Sequence, residues 1–224
     1  MESTVTDLVT GLDERGRSFE LLVVENGSTD GTLDLARRLA ASEPRLAVMS
    51  NDHADYGDAL ATGFVAARGD VVVNFDVDYY DLAFLEYAEK ELADGTSLVV
   101  ASKRAPGSED RRPALRRALT AGFTTALRVG FGLPVSDAHG MKAMRRADLV
   151  PIVAACRMRG SLFDVEMVLR AGHKGLRATE TAARVEERRP PRTAVWRRSF
   201  ESLGGLVKLR VLLWRESLEA RRRH

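Results

Sequence analysis

The sequence has almost no cysteine and no long apolar run. Cys156 is the only cysteine in 224 residues, which excludes an internal disulfide and any metal site built from several thiolates. No apolar stretch approaches the roughly 18 residues that a membrane-spanning helix needs, and the N-terminus does not have the pattern of a signal peptide. We therefore expect a cytoplasmic protein, either soluble or peripheral on the inner face of the plasma membrane.

A large excess of charge is also missing. Lys and Arg number 34 against 32 Asp and Glu, a formal net charge of +2, so the net charge implies no nucleic-acid partner. The distribution is uneven, because acidic side chains gather in the first half and Arg dominates from about residue 103 onward. With 45% hydrophobic residues, the chain can bury a core of its own.

Strand-like and helix-like segments alternate along the first half of the chain. Apolar runs of strand length lie at 19–25, 45–50, 70–76 and 96–102, and helical patterns lie at 3–14, 30–41, 57–69 and 81–93. This alternation predicts an α/β domain with a largely parallel sheet. Later segments predict helices at 114–129, at 147–157 and up to Gly172, a last strand within 176–187 and a final amphipathic helix at 200–222.

The cluster DVDYYD follows a predicted strand directly, at the edge of a parallel sheet where ligands bind. Alternation along the strand would place Asp76 and Asp78 on the same side. Two close carboxylates favour a hard cation such as Mg²⁺ or Mn²⁺, which would also bridge to substrate phosphates. The alternative is a loop of solvated aspartates, and Asp81 is expected to cap the next helix.

A second polar cluster, ENGSTD, follows the first predicted strand and precedes a helix that Asp30 is placed to cap. Backbone N–H groups in such a turn can receive a phosphate, and a carboxylate can accept from a ribose hydroxyl or a base. Taken alone, the segment is better explained as an ordinary capped strand-to-helix turn.

The ordered set of motifs resembles family 2 glycosyltransferases of the GT-A fold. VVENGSTDGT, YGDALATGFVAARGD and NFDVDYYD are similar to the nucleotide-binding half of that family. SDAHGMKAMRR and GSLFDVEMVLRAGHKG resemble its acceptor-side segments. The nearest branch is that of the polyprenyl-phosphate mannosyl- or glucosyltransferases, typified by dolichol-phosphate mannose synthase.

The resemblance implies a mixed, mainly parallel sheet flanked by helices. It implies a GT-A-like domain at 1–198, with a nucleotide-binding half at 1–102 and an acceptor half at 103–198, and a basic amphipathic helix at 199–224. It also implies inverting, metal-dependent transfer of mannose or glucose from a GDP- or UDP-sugar to an acceptor, with polyprenyl phosphate expected. Mg²⁺ or Mn²⁺ is the implied cofactor.

The same resemblance assigns roles to individual residues. Asp76 and Asp78 match the metal-binding pair, and Asp76, Asp78, Asp137 and Arg117 form the implied catalytic set. The implied nucleotide-sugar contacts are Glu25, Asn26, Gly27, Ser28, Asp76 and Arg104. The implied acceptor-side residues are His139, Gly140, Arg188 and Arg189, with Arg192 in the same basic loop.

The largest departure from the family is at the start, where its first strand and turn are missing. Without that strand the sheet would expose the backbone edge of a neighbouring strand. A start codon further upstream, another element or chain in the vacant place, and a degraded homologue are the three explanations. Tyr80, His139 and Met141 also differ from the family's usual residues.

The sequence leaves alternatives for what the final helix contacts and for the function of the protein. Val207, Val211, Trp214 and Leu218 form one apolar stripe, which would lie on an anionic membrane surface or pack on the protein's own core or on a second copy in a homodimer. An inactive GT-A-like domain that serves as a binding or assembly partner is the rival to an active enzyme. A nucleotidyltransferase is a third class, and the absence of an N-terminal glycine-rich phosphate loop argues against it.

Overall fold

A computed structural model of the chain describes residues 1–110, 114–185 and 195–222. Its helices are α1 Glu2–Glu14, α2 Thr32–Ser42, α3 Tyr56–Ala66, α4 Leu82–Ala93, α5 Ala114–Phe131, α6 Arg146–Ala155, α7 Leu162–His173 and α8 Val195–Arg222. Its strands are β1 Leu21–Asn26, β2 Leu46–Asn51, β3 Val71–Asn74, β4 Leu98–Ser102, β5 Glu109–Asp110, β6 Lys142–Arg145, β7 Ala178–Ala182 and β8 Arg184–Val185. The predicted alternation of strand and helix is therefore confirmed.

The sheet is mixed and mainly parallel, as predicted, because three of the five described strand pairings are parallel and two are antiparallel. β1 pairs with β2, β4 with β7 and the short β5 with β8, each in parallel. β6 lies between β3 and β4 and runs antiparallel to both. The sequence pattern did not predict β6, because this strand is four residues long and has charged residues at both ends.

The sheet is divided in two between β1 and β3. Within the described residues, β1 and β2 form one sheet, and β3, β6, β4 and β7 form another in that order. The family resemblance led us to expect a strand edge exposed by a missing first strand, and no described strand joins these two sheets. The helix α1 connects the two parts: Asp13 forms an ion pair with Arg45 at 2.5 Å beside β2, and the Thr4 hydroxyl donates to the Val77 carbonyl at 2.7 Å after β3.

Helix starts follow local capping chemistry. Asp81 precedes α4 and accepts the Ala83 N–H at 2.8 Å, as predicted. Asp55 caps α3 in the same way through the Asp58 N–H. The prediction that Asp30 caps α2 was wrong by one position, because Gly31 is the cap residue at φ 75° and Asp30 accepts instead from Thr32.

The core is built around α7, which is buried on nearly every side. Two charged residues of this helix, Asp164 and Glu166, are fully buried among its apolar side chains. Glu166 accepts the N–H groups of Arg157 and Met158 at 2.7 and 2.6 Å and forms an ion pair with Arg170 at 2.8 Å. Glu166 therefore fixes the loop between α6 and α7.

The helix α8 begins at Val195, before the predicted start at residue 200. Leu206 and Leu209 pack it against the core, whereas Val207 is 65%, Val211 40% and Trp214 59% exposed. The stripe seen in the sequence is thus not the face that packs on the core, and that alternative was wrong. No described helix is both long and apolar enough to cross a membrane.

Candidate active site

Asp76 and Asp78 lie in a tight turn rather than on a continuing strand. β3 ends at Asn74, and the Asp76 N–H donates to the Tyr79 carbonyl while the Tyr79 N–H donates back to the Asp76 carbonyl, both at 3.0 Å. Asp76 is half-buried and Asp78 is exposed. The expectation that strand alternation aligns the two was wrong, because the chain reverses between them.

The environment of Asp76 leaves its negative charge poorly compensated. Burial is the main cause that raises the pKa of this carboxyl above its ordinary value, and Asp78 and Asp164 raise it further. Lys142 and Lys103 act in the opposite direction without cancelling the shift. A divalent cation at this turn would therefore relieve an unfavourable charge.

The residues present fit a cation that is shared with a ligand. In the described part of the chain, no three Asp, Glu, His or Cys side chains come together as a metal site. Asp76 and Asp78 can supply two carboxylates, the kind of ligand that Mg²⁺ and Mn²⁺ prefer, while water and phosphate oxygens complete the coordination. This arrangement suits a metal that binds together with a diphosphate.

The turn after β1 is held closed by its own side chains. Glu25 is 4% exposed, and its carboxylate accepts the Ser28 N–H and, at 2.8 Å, the Ser50 hydroxyl. Burial would raise the pKa of Glu25, but these hydrogen bonds outweigh it and the pKa is lowered. Because both oxygens already accept hydrogen bonds, Glu25 shapes the turn, and its contact with a nucleotide stays a prediction.

Asn26 and Gly27 join this turn to the start of α3. The Asn26 side-chain oxygen accepts the Asp55 N–H at 2.8 Å. Gly27 has a φ of 66°, and a Cβ there would lie 2.9 Å from the Ala54 backbone nitrogen, so only glycine fits this close approach. Ser28 is exposed beside them.

The predicted acceptor loop presents a buried carboxylate. Asp137 is 1% exposed, and its Oδ1 accepts the His139 N–H at 3.0 Å, with His139 Nδ1 at 3.5 Å. Burial alone would raise its pKa, but the hydrogen bonds of His139 and the charge of Lys103 lower it. Asp137 Oδ2 is buried without a hydrogen-bond partner among the described residues, and its contact with a substrate stays a prediction.

Gly140 lets the acceptor loop pass close to β4. Its φ is 134°, and a Cβ would lie 2.6 Å from the Ala101 carbonyl oxygen, which excludes any side chain. The Gly140 carbonyl accepts from Lys142 Nζ at 2.8 Å. The loop is thereby fixed directly beside the end of the sheet.

Strand pairing brings the two predicted clusters to one end of the sheet, because Lys142, two positions after Gly140, pairs with Asn74, two positions before Asp76. Lys103, just after β4, acts electrostatically on both Asp76 and Asp137. Tyr56, at the start of α3, lies beside Asp76 and Asp164. The metal pair, the acceptor loop and the start of α3 therefore meet at one end of the sheet.

The predicted arginines lie around or beyond this centre. Arg104 is exposed on the loop after β4, and its N–H donates to the Ser102 hydroxyl at 3.1 Å. Arg117 is exposed on α5. Arg188, Arg189 and the loop that carries them lie outside the described residues, so the roles of all four arginines stay predictions.

Sequence reasoning missed Lys142, Asp164 and Tyr56. A lysine within a short buried strand and an aspartate inside the apolar run LFDVEMVL are the signals that point to them, because a buried charge is rare unless it is paired. The sequence did not indicate that these two charges pair with each other.

Comparison with known proteins assigns the class. The fold is GT-A-like: the chain superimposes with a TM-score of 0.67 on glucosyl-3-phosphoglycerate synthase from Mycobacterium tuberculosis in complex with Mn²⁺, UDP and phosphoglyceric acid, at 22% identity, covering 92% of this chain and 72% of that one. The family model described as glycosyl transferase family 2 matches residues 2–151. The chain belongs to that family, as its motifs predicted.

Individual relatives are also glycosyltransferases. The chain is 30% identical over 186 residues to glycosyltransferase AglD of Haloferax volcanii, covering 80% of this chain but only 30% of AglD. It is 31% identical to an uncharacterized glycosyltransferase of Mycobacterium bovis, covering 72% of this chain and 71% of that protein. It is 29% identical to the undecaprenyl-phosphate 4-deoxy-4-formamido-L-arabinose transferase of Pseudomonas syringae, covering 69% of this chain and 44% of the transferase.

Proposed function

We propose that the chain is an inverting, metal-dependent hexosyltransferase that moves mannose or glucose from a GDP- or UDP-sugar to polyprenyl phosphate. The observation that carries this proposal is the pairing of Asn74 with Lys142, which brings the Asp76–Asp78 turn and the loop of the buried Asp137 to one end of the sheet. One carboxylate pair suits the donor diphosphate, and the other carboxylate faces the acceptor side.

The donor half of the proposal rests on the turn and on a solved relative. Mn²⁺ or Mg²⁺, held by Asp76 and Asp78, would neutralise the departing nucleoside diphosphate. The glucosyl-3-phosphoglycerate synthase structure contains Mn²⁺ and UDP, which supports a UDP-sugar as the first donor to try. Asn26, Gly27 and Ser28, in the turn after β1, would contact the nucleoside.

The acceptor half rests on charge. A lipid phosphate is already an anion, so it attacks the anomeric carbon without a strong general base. Arg104, Arg117, Arg188 and Arg189 would bring two anionic substrates together and stabilise the leaving diphosphate. Asp137, with its free Oδ2, would orient the sugar or the acceptor beside His139. An undecaprenyl-phosphate transferase among the relatives supports a lipid acceptor.

A lipid acceptor requires access to a membrane surface, and α8 supplies a face for it. Val207, Val211 and Trp214 lie together on the side of α8 opposite the buried Leu206 and Leu209. Lys208 and Arg215 flank this stripe and are exposed. An apolar stripe bordered by cations suits an anionic bilayer surface, so we place the enzyme peripherally at the inner face of the plasma membrane.

The double substitution Val207→Ser/Trp214→Ser should weaken binding to vesicles containing anionic lipid at least tenfold, because about 1.5–3 kcal/mol of apolar burial is lost for each side chain. Cosedimentation with vesicles measures this effect. Val129→Ser, on the 85% exposed valine of α5, is the matched control and should bind as the wild type does. Equal binding by all three proteins would remove α8 as the membrane contact.

The divided sheet favours one other function, that of an inactive GT-A-like binding partner. Calorimetric titration with UDP and, separately, GDP decides between the two. We expect one nucleotide to bind in the presence of Mn²⁺ and to lose its binding when EDTA is added, because the diphosphate binds through the cation at Asp76 and Asp78. Failure of both nucleotides to bind with Mn²⁺ present would support the inactive alternative.

A further inference from the structure

A buried ion pair lies directly behind the proposed metal-binding turn. Lys142 of β6 and Asp164 of α7 have side chains that are each 1% exposed, and Lys142 Nζ lies 2.9 Å from Asp164 Oδ1. Both oxygens of Asp164 are buried and have no hydrogen-bond partner among the described residues, so the contact with Lys142 is an ion pair without hydrogen-bond geometry. Neither residue is on a surface that the proposed substrates would contact.

The surroundings of this pair connect it to the site. Lys142 donates through Nζ to the Gly140 carbonyl at 2.8 Å and through its backbone N–H to Asn74 Oδ1 at 3.1 Å. Asn74 is the last residue of β3 and lies two positions before Asp76. On the other side lies Tyr56, whose side chain is partly exposed; desolvation of its hydroxyl and the nearby charge of Asp164 raise the pKa of Tyr56.

The core offers no structural reason for a charged pair here. The neighbours of Asp164 along α7, such as Phe163 and Val165, are fully or almost fully buried and apolar. Replacing a buried ion pair by apolar residues of similar volume is often neutral or stabilising, whereas removing only one partner is costly. An ion pair kept in this position therefore has a role beyond stability.

We propose that Lys142 and Asp164 are positioning residues for the donor site: Asp164 holds the Lys142 ammonium between the acceptor loop and Asp76, and this buried cation fixes both in their working arrangement. The contact with the Gly140 carbonyl fixes the acceptor loop, and the bond to Asn74 fixes the end of β3. The inference rests on the proposed function, because it assigns the pair to the same donor site.

Three variants test the proposal. Lys142→Met alone leaves Asp164 buried without a counter-charge, so we expect a melting temperature lower by roughly 10 °C. Lys142→Met/Asp164→Asn removes both charges and should recover most of that loss. Tyr56→Phe removes only a hydroxyl from a residue that is 36% exposed, and it should fold as the wild type does.

Binding of UDP in the presence of Mn²⁺ is the readout that a purely structural pair would not change. The folded double variant should bind about 10–100-fold more weakly, as is usual when residues that orient a metal site are lost. Tyr56→Phe should lose about threefold. Arg145→Met/Asp148→Asn removes a half-exposed ion pair of 3.0 Å from the other end of the same strand and should leave the affinity unchanged.

The possible results distinguish a failure of this inference from a failure of the proposed function. Wild-type affinity in both the double variant and Tyr56→Phe overturns the inference and leaves the proposed function standing. Absence of nucleotide binding by the wild type itself overturns the proposed function, and this inference with it. Weakened binding in both variants beside an unchanged Arg145→Met/Asp148→Asn control supports the positioning role.

Discussion

Replacing Asp76 by Asn should reduce sugar transfer by a factor on the order of 10³ or more, because the substitution removes an anionic metal ligand from the site where the diphosphate leaves. The side chain keeps its size, so the turn between Asp76 and Tyr79, which is made by backbone hydrogen bonds, should persist. Transfer from a radiolabelled nucleotide sugar and Mn²⁺-dependent nucleotide binding should fall together.

The stability of this variant should not fall. Burial raises the pKa of Asp76 in the folded state, so the ionised form is less favourable in the folded protein than in the unfolded chain. The stability that this group contributes is complete below the ordinary carboxyl pKa of about 3.9 and is lost as the pH rises through the raised value. At neutral pH Asp76→Asn should therefore melt at the same temperature as the wild type or higher.

Asp81→Asn is the matched control for this prediction. It makes the same change of charge five positions along the same segment, on an exposed residue. Asn caps helices about as well as Asp, so α4 should keep the hydrogen bond from Ala83 and transfer should proceed at the wild-type rate. Full activity in Asp76→Asn would remove the metal assignment.

The sequence predicted those strands and helices that are determined by residues within a short segment of the chain. Apolar runs such as 96–102 and the capping residue Asp81 determine a strand or a helix start within a few residues. β6 escaped prediction because its apolar part is only Ala143 and Met144, and its place between β3 and β4 comes from long-range pairing. The break in the sheet was predicted only through the family resemblance.

In the site, too, the residues in local motifs were predicted and the contacts between distant residues were not. Asp76, Asp78 and Asp137 were predicted by motif. Asp76 follows the end of β3 and Asp137 precedes the start of β6, which runs antiparallel to β3, so both lie at the same end of the sheet. The turn at Asp76 was not predicted, because periodicity does not show where a strand stops. The pairing of Lys142 with Asp164 joins residues far apart in the chain, and no local pattern specifies such a partner.

Replacing Asp137 by Asn should lower kcat on the order of 10²-fold, the loss expected when a group that orients the reactants no longer holds them in place. Nucleotide affinity should stay within about twofold of the wild-type value, because Asp137 lies on the acceptor side. Lys103 can still offset the negative charge of Asp76. The Asn side-chain oxygen can accept the His139 N–H as Oδ1 of Asp137 does, so the loop should keep its shape. Single-turnover transfer and calorimetry measure the two quantities separately.

The stability of this variant should change in the opposite direction to that of Asp76→Asn. The pKa of Asp137 is lowered by its hydrogen bonds with His139 and by Lys103 despite its burial, so its ionised form stabilises the folded protein above the ordinary carboxyl pKa and loses that effect as the pH falls through the lowered value. Asp137→Asn should thus melt a few degrees lower at neutral pH.

Loss of nucleotide affinity in Asp137→Asn, or an unchanged kcat, would contradict its place on the acceptor side. A lower melting temperature here beside an unchanged or higher one for Asp76→Asn would show that the two carboxylates, although they share Lys103, occupy the site with opposite electrostatic effects on the fold.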